Sequence, residues 1–506
     1  MRRYLAFCLP LAAMLACPVA ARADDAPPAP PAPAAQPLAG AYGGVFFLRD
    51  EADDFRLYFQ GRAQVDSYNY FGAGVPETSL KSSVFLRRIR PEISGELLHR
   101  FQFMLAGDWG QNGVDNAGGT NEAYASKAGT APSATSGQYS SAQTASVKAA
   151  PTDVWINYRA SGLFNLQFGQ FDAPFTMENR TSDKYLPFME RSLAVRALGV
   201  PTNKEVGAMV WGETADKLVF WSVGAFDGDG QNRPNVDNRA DVMGRVFAHP
   251  LAHVGGPLKD VQIGGSFRYG MRDATYVNYD YAAMTTQGNY AFWKPTYTSS
   301  TGTTHVLPSG AQVGFAGELR VPVGDFDLTA EYVQVNNHTR ETADGDPTKT
   351  WRRGALTGNA WYATVGWWPF GNRDVNGLPG YENPTHLDFS KKPAKSPPRA
   401  LQVLVKYEQL RVKYDSASRD GSTPDAKNID GDTKLDALTV GVNYWATKHV
   451  RFTLDWVMNR FPDSSDAPTS AQRAQAPGNA AKTADADTRA TAHVLHEVLG
   501  RVAIAF

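Results

Sequence analysis

The chain has 506 residues, 42% hydrophobic and 20% charged, with 50 Lys and Arg against 51 Asp and Glu for a formal net charge of -1. That near-balance argues against a nucleic-acid binder, which carries a basic excess, and the composition is not that of a disordered polymer. Both cysteines, Cys8 and Cys17, lie near the N-terminus, so the body cannot use a disulfide scaffold, a Cys-ligated zinc site or a thiol nucleophile.

The N-terminus reads as an export signal over residues 1–23. Arg2 and Arg3 form a basic start, Leu5 to Ala16 is strongly apolar, and Ala21-Arg22-Ala23 puts small residues at the -3 and -1 positions of a cleavage site. Pro10 and Pro18 interrupt the apolar run and argue against a membrane anchor. Pro18 after Cys17, with Met14 where Leu is usual, argues against a lipoprotein. Cleavage after Ala23 leaves 47 basic against 51 acidic residues, net -4. Residues 24–42 include the Pro/Ala run Ala26 to Pro37 and read as an extended periplasmic linker, with the folded part at 43–506.

The body alternates with period 2, the mark of strands with two unlike faces. Phe55, Leu57, Phe59, Gly61, Ala63 and Val65 share one face, with Arg56, Tyr58, Gln60, Arg62, Gln64 and Asp66 on the other. The pattern predicts an all-β chain of about 16 strands, at 55–66, 83–94, 97–109, 152–160, 163–171, 205–213, 217–226, 239–248, 259–270, 311–321, 324–336, 359–369, 400–413, 435–446, 449–460 and 494–506. Each is close to the roughly 9–11 residues of a tilted transmembrane strand. Short and long connections alternate, as between short periplasmic turns and long external loops of an antiparallel transmembrane β-barrel. The stretch 370–399 is an exception, long where a periplasmic turn belongs. Trp109, Trp211, Trp221, Trp367, Trp368, Trp445 and Trp456, near strand ends or on apolar faces, suggest interfacial girdles. The terminal Phe506 resembles the signal read by the outer-membrane insertion machinery.

Phe164 to Arg191 (FNLQFGQFDAPFTMENRTSDKYLPFMER) resembles the phosphate-selective porin O and P family. Its Gly169-Gln170-Phe171 and Pro174-Phe175 core, Phe188 to Arg191, the Leu86-Arg87-Arg88-Ile89-Arg90 strand and the opening at Tyr58 to Asp66 carry the likeness. The resemblance implies a sixteen-stranded trimeric barrel in the outer membrane of a Gram-negative bacterium. A long third loop would fold into the pore and arginines would line an anion path.

The cations of lumen parity are Arg56, Arg62, Arg88, Arg90, Arg100, Arg159, Arg245, Arg268, Arg320, Lys406, Arg451 and Arg501. Arginine suits an anion path because its planar fork pairs with phosphate oxygens and stays charged. Arg88 and Arg90, two apart, share a face. Arg87 has the opposite parity and is expected to snorkel or to lie at a trimer contact or above the apolar band. The loop Asp172 to Lys204 is the expected constriction, with Arg180, Lys184, Arg191, Arg196 and Lys204 against Asp172, Glu178, Asp183 and Glu190. Asp66, Glu92, Asp108, Asp241, Glu318, Glu408 and Asp455 share lumen parity with the cations, so a general or carbohydrate-type porin is the rival reading, and a non-conducting adhesin or structural barrel the next.

No cofactor, metal or catalytic site is expected. Asp227-Gly228-Asp229-Gly230 lacks the Gly and Glu of a calcium loop, where Asn232 and Asn238 stand. His496-Glu497 lacks the second His of a zinc motif, Gly500 taking its place.

Overall fold

The computed structural model describes residues 37–71, 82–110, 150–200, 203–273 except 234 and 236, 281, 284–293, 295, 297–299, 302–343, 352–375, 384–393, 396–419, 431–461 and 494–506. The export signal expected at 1–23 and the first part of the expected linker lie outside these residues. Within them, sixteen strands close into an antiparallel barrel: β1 (Phe55–Phe71), β2 (Ser83–Leu97), β3 (Phe101–Asp108), β4 (Ala150–Arg159), β5 (Asn165–Asp172), β6 (Lys204–Glu213), β7 (Val219–Phe226), β8 (Asp241–Ala248), β9 (Gln262–Asp273), β10 (Gly302–Val323), β11 (Phe326–Ala343), β12 (Arg352–Phe370), β13 (Ala400–Arg419), β14 (Gly431–Thr447), β15 (Val450–Arg460) and β16 (Val494–Ala505). Every predicted strand is present. The ring closes where β16 pairs with β1, from His496 against Phe71 to Ala505 against Arg62. Closure leaves no barrel strand with an open edge, as a wall immersed in hydrocarbon requires.

The two faces are inverted relative to a water-soluble protein. Outward positions are apolar and exposed, such as Val84 at 71%, Phe168 at 61% and Phe315 at 61%, whereas Asp66, Glu408 and Glu497 on the inward face are at 0%. Water cannot be the solvent of such an outer surface; lipid can. Trp109, Trp367 and Trp456 face outward, but Trp211, Trp368 and Trp445 face inward, so these three belong to no girdle. Trp368 stacks on Trp445 with ring centroids 5.3 Å apart, and Trp211 donates to Asn157 at 3.0 Å.

Departures from simple alternation matter for the lumen. Between β1 and β2 the register jumps: Gln64 faces Arg88 but Val65 faces Leu86, leaving Arg87 as an extra residue in a bulge. The bulge turns Arg87 inward beside Arg88, which corrects its expected place on the lipid face. At the other end of β2 the chain turns through Leu98 and His99, both with positive φ (53° and 57°), so β3 begins at Phe101. In the family-like segment, Gly169 has φ 129°, and a Cβ there would lie 2.2 Å from the Val154 carbonyl oxygen across β4. No side chain fits that approach.

Residues 39–42, expected in the linker, instead form a strand of the hairpin Ala39–Tyr42 and Val45–Arg49, whose second arm pairs with the start of β1. The final residue continues the barrel wall: the Phe506 amide donates to Gly61 O at 3.1 Å and Phe506 O accepts from Gly61 N at 2.9 Å.

Residues 384–393 of the long connection between β12 and β13 lie at the periplasmic mouth against β1 and β2. Leu387 O accepts from Arg56 at 2.8 Å, His386 Nδ1 lies 2.9 Å from Glu96, and Phe389 packs on Phe47 with Arg56 over its ring at 5.0 Å.

Candidate functional site: the lumen constriction

The third external loop, between β5 and β6, folds into the barrel and is anchored on several walls. The amides of Met177 and Glu178 donate to Glu331 on β11, and Leu193 N to Glu408 on β13 at 2.9 Å. Met189 N donates to Asp455 on β15, while Arg501 and Arg451 donate to the carbonyls of Met189 and Leu186. A short helix, α1 (Leu193–Leu198), capped by Ser192, buries Leu193, Val195 and Leu198. Loop backbone groups buried away from water thus find wall side chains as partners, which is what permits irregular chain inside a barrel.

Asp183 stands at the tip of this arrangement. One carboxylate oxygen lies 2.7 Å from Arg62, and the other lies 2.8 Å from Arg88 and 3.4 Å from Arg90. Yet Asp183 Oδ1, Arg62 Nε and Arg88 Nε are buried without an aligned hydrogen-bond partner. The clasp is therefore held by charge more than by directed bonds. Burial opposes the charge of Asp183, but Arg62, Arg88, Arg90 and Arg191 outweigh it and hold its carboxyl well below the usual carboxylate range. Glu190 is lowered in the same way: burial opposes it, while Arg87, Arg196, Arg88 and Arg501 prevail. Glu178 is shifted the other way, raised by burial although Lys406 works against the shift.

The structure brings together only part of the predicted cation set. Arg62 pairs with Glu92 at 2.7 Å as well as Asp183; Arg90 pairs with Asp108 at 2.8 Å; Arg88 donates to Gln64 at 2.8 Å. Arg62 and Arg90 are direct cross-strand neighbours. Arg451 donates to a carbonyl and has no carboxylate ion partner among the described residues. Elsewhere on the wall, Arg245 is locked to Glu318 at 2.7 Å, and Arg268 lies 3.8 Å from an Asp241 that Arg272 already holds at 2.5 Å. Lys406 Nζ lies 3.2 Å from Glu408, unaligned for a hydrogen bond, and 4.6 Å from the Phe188 ring centroid. Arg320 lines a cavity on the periplasmic side of the loop. Arg159 is half-buried at the end of β4. Arg100 is not on the wall: it is exposed in the turn after β2, because β3 begins at Phe101, later than the 97 its alternation suggests.

The loop cations also have partners. Lys184 reaches Glu92 at 2.7 Å, Arg196 reaches Glu190 at 3.3 Å, and Arg180 donates to the Asp172 carbonyl. Arg191 donates to the carbonyls of Glu178 and Thr181.

Sequence reasoning missed two components. Arg87 joins the site, 3.0 Å from Glu190, beside Arg501, which holds Asp66 at 2.7 Å. Residues 284–293, from the external connection between β9 and β10, also enter the lumen. Gln287 donates to Glu408, Gly288 N to Glu497, and Arg196 to Thr285 and Asn289. Their only sequence signal was the apolar Tyr290, Phe292 and Trp293, fully buried here.

The phosphate-selective porin O and P family model matches residues 55–477. Porin O of Pseudomonas aeruginosa is 22% identical over 428 residues, covering 80% of this chain and 83% of the relative. Among solved structures, the outer-membrane expressed OmpT of Vibrio cholerae is 9% identical with TM-score 0.49, covering 91% of this chain and 100% of that one. The outer membrane channel DcaP of Acinetobacter baumannii is 10% identical with TM-score 0.47, covering 91% and 99%. The anion-selective porin from Comamonas acidovorans is 12% identical with TM-score 0.43, covering 89% and 100%. With a closed sixteen-stranded wall, a charged interior and a family match over most of its length, the chain belongs to the phosphate-selective porin O and P family and is an outer-membrane porin.

Proposed function

We propose that the chain forms a water-filled channel for passive diffusion of small anions, phosphate-like oxyanions among them. The observation that carries this reading is the cationic wall of β1, β2, β15 and β16. Arg62, Arg87, Arg88, Arg90, Arg451 and Arg501 converge there on the constriction loop and Lys184, seven cations against the six carboxylates Asp66, Glu92, Asp108, Asp183, Glu190 and Asp455. An excess of fixed charge in a narrow lumen raises the local concentration of the opposite ion. A permeant anion must leave each site as easily as it enters, and partly compensated arginines meet that need better than bare ones.

The reading includes export through the cleaved signal at 1–23, insertion in outer-membrane lipid with Phe506 as the recognition residue, and a homotrimer, since a heterologous contact that closes into a ring leaves no free end. The close pairing of Asp183 with three arginines favours the rival, a general diffusion porin without anion preference.

Reversal potential in a KCl gradient across a planar bilayer separates the two, followed by block of chloride current with phosphate. Anion preference in the wild type, lowered in an Arg88→Gln/Arg90→Gln double variant that still assembles, supports the anion path. A wild-type reversal potential near zero supports the general porin, and a barrel that passes no current supports the adhesin.

A further inference from the structure

On the periplasmic side of the constriction lies a cavity open to solvent, between the loop and the inner face of β10 to β13. Arg320 of β10 lines it. The residue is 8% exposed, and among the described residues no hydrogen bond or ion pair reaches its guanidinium. Its guanidinium faces the open cavity, where an anion would meet a cation that no carboxylate neutralises. An acid that lines the same cavity is already taken: Asp327 accepts from Arg373 Nε at 2.9 Å and from Trp368 Nε1 at 2.6 Å. Arg373 is held there too, its Nη2 donating to the carbonyls of Gly324 and Phe326.

The strand registers then place donors beside Arg320. Thr329 on β11 is its direct cross-strand partner, Thr364 on β12 is the partner of Thr329, and Lys406 on β13 follows Thr364. Neighbouring strands are about 4.8 Å apart, so guanidinium and two hydroxyls form one row of hydrogen-bonding groups with no carboxylate in it. The loop side of the cavity offers an apolar patch of Leu186, Pro187 and Phe188 beside the polar Glu178, Thr181 and Tyr185, with Leu404 below the row.

We propose that this cavity is a subsite for small organic acids with an apolar body. Their carboxylate pairs with Arg320 and the threonine row, and their hydrocarbon part rests on Leu186, Phe188 and Leu404. One free guanidinium matches one monoanionic carboxylate in the two-pronged geometry that arginine favours. A doubly charged phosphate would find one cation without a carboxylate partner, with Glu178 and the apolar Leu186 and Phe188 on the facing side. The subsite deepens the anion-channel reading, on which its role in permeation rests: a solute held here sits directly beyond the arginine constriction.

Calorimetric titration of the refolded protein in detergent with phenylacetate, acetate and inorganic phosphate tests the subsite without requiring conduction. Phenylacetate is expected to bind saturably, acetate at least tenfold more weakly, and Arg320→Gln to weaken phenylacetate at least tenfold while leaving the heat-modifiable barrel unchanged, since Arg320 supports no other bond. Thr364→Val, a second variant, is expected to weaken binding several-fold. Equal binding by wild type and Arg320→Gln overturns the proposal, as does acetate binding as tightly as phenylacetate or phosphate displacing it at equal concentration. Phenylacetate binding through Arg320 in a barrel with no anion preference leaves the subsite standing and removes the anion path. Anion preference without such binding does the reverse.

Discussion

Asp183→Asn is the most informative single change at the constriction. It removes one negative charge from between Arg62, Arg88 and Arg90, which lie 2.7, 2.8 and 3.4 Å from its carboxylate. Arg62 keeps Glu92 and Arg90 keeps Asp108, but Arg88 keeps only the amide of Gln64. The newly uncompensated charge is thus mainly that of Arg88. A unit charge acting at about 4 Å changes the energy of a passing anion by roughly 1 kcal/mol even at the dielectric of bulk water, about fivefold in local occupancy. Breaking a buried pair commonly costs about 3–5 kcal/mol. Here two of the three arginines retain a carboxylate, so the cost falls at the lower end and on docking of the loop rather than on the barrel. Reversal potentials in a KCl gradient at low salt, where screening is weak, should show the anion-to-cation permeability ratio rising by up to about fivefold. Heat-modifiable migration in SDS should persist. An unchanged ratio in an assembled channel would refute the placement of the Asp183 clasp on the ion path.

Acidification tests the same clasp in the wild type. The Asp183 carboxyl is held below its unfolded value, so its contribution is complete above that value, about 3.9, and is lost only as pH falls through the depressed native one. The selectivity difference between wild type and Asp183→Asn should therefore stay level from pH 7 to about 4.5; a difference that vanishes near pH 6 would contradict the arrangement. Gly169→Ala should lower the temperature at which the barrel unfolds in SDS, because its Cβ would meet Val154 O at 2.2 Å in a positive-φ conformation; an unchanged unfolding temperature counts against that backbone. Deleting Phe506 removes two backbone bonds to Gly61 and a 43% exposed ring, and should cut the amount recovered in outer membranes while in vitro refolding survives; equal recovery argues against a role in insertion. Crosslinking in native membranes should capture trimers, and monomers alone would remove the assembly proposal.

The architecture was legible because a barrel strand sees only two surroundings, lipid and lumen. Phe55, Leu57 and Phe59 against Arg56, Tyr58 and Gln60 record that in the sequence with period 2. Loop lengths that alternate by parity record the two sides of the membrane, so strand number and orientation required no long-range information. The partners of the constriction did not follow in the same way. Parity placed Arg87 on the outward face, and only the register shift opposite Gln64 and Val65 turns it toward Glu190, more than a hundred residues away. Parity likewise placed Arg100 in the lumen, where a turn through two positive-φ residues puts it at the rim. Whether an inward arginine is clasped, as Arg62 is by Asp183, or left facing a cavity, as Arg320 is, depends on where the third loop comes to rest inside the ring. Alternation is a local property of one strand; the neutralisation of a charge belongs to whatever group the closed barrel brings within a few ångströms of it.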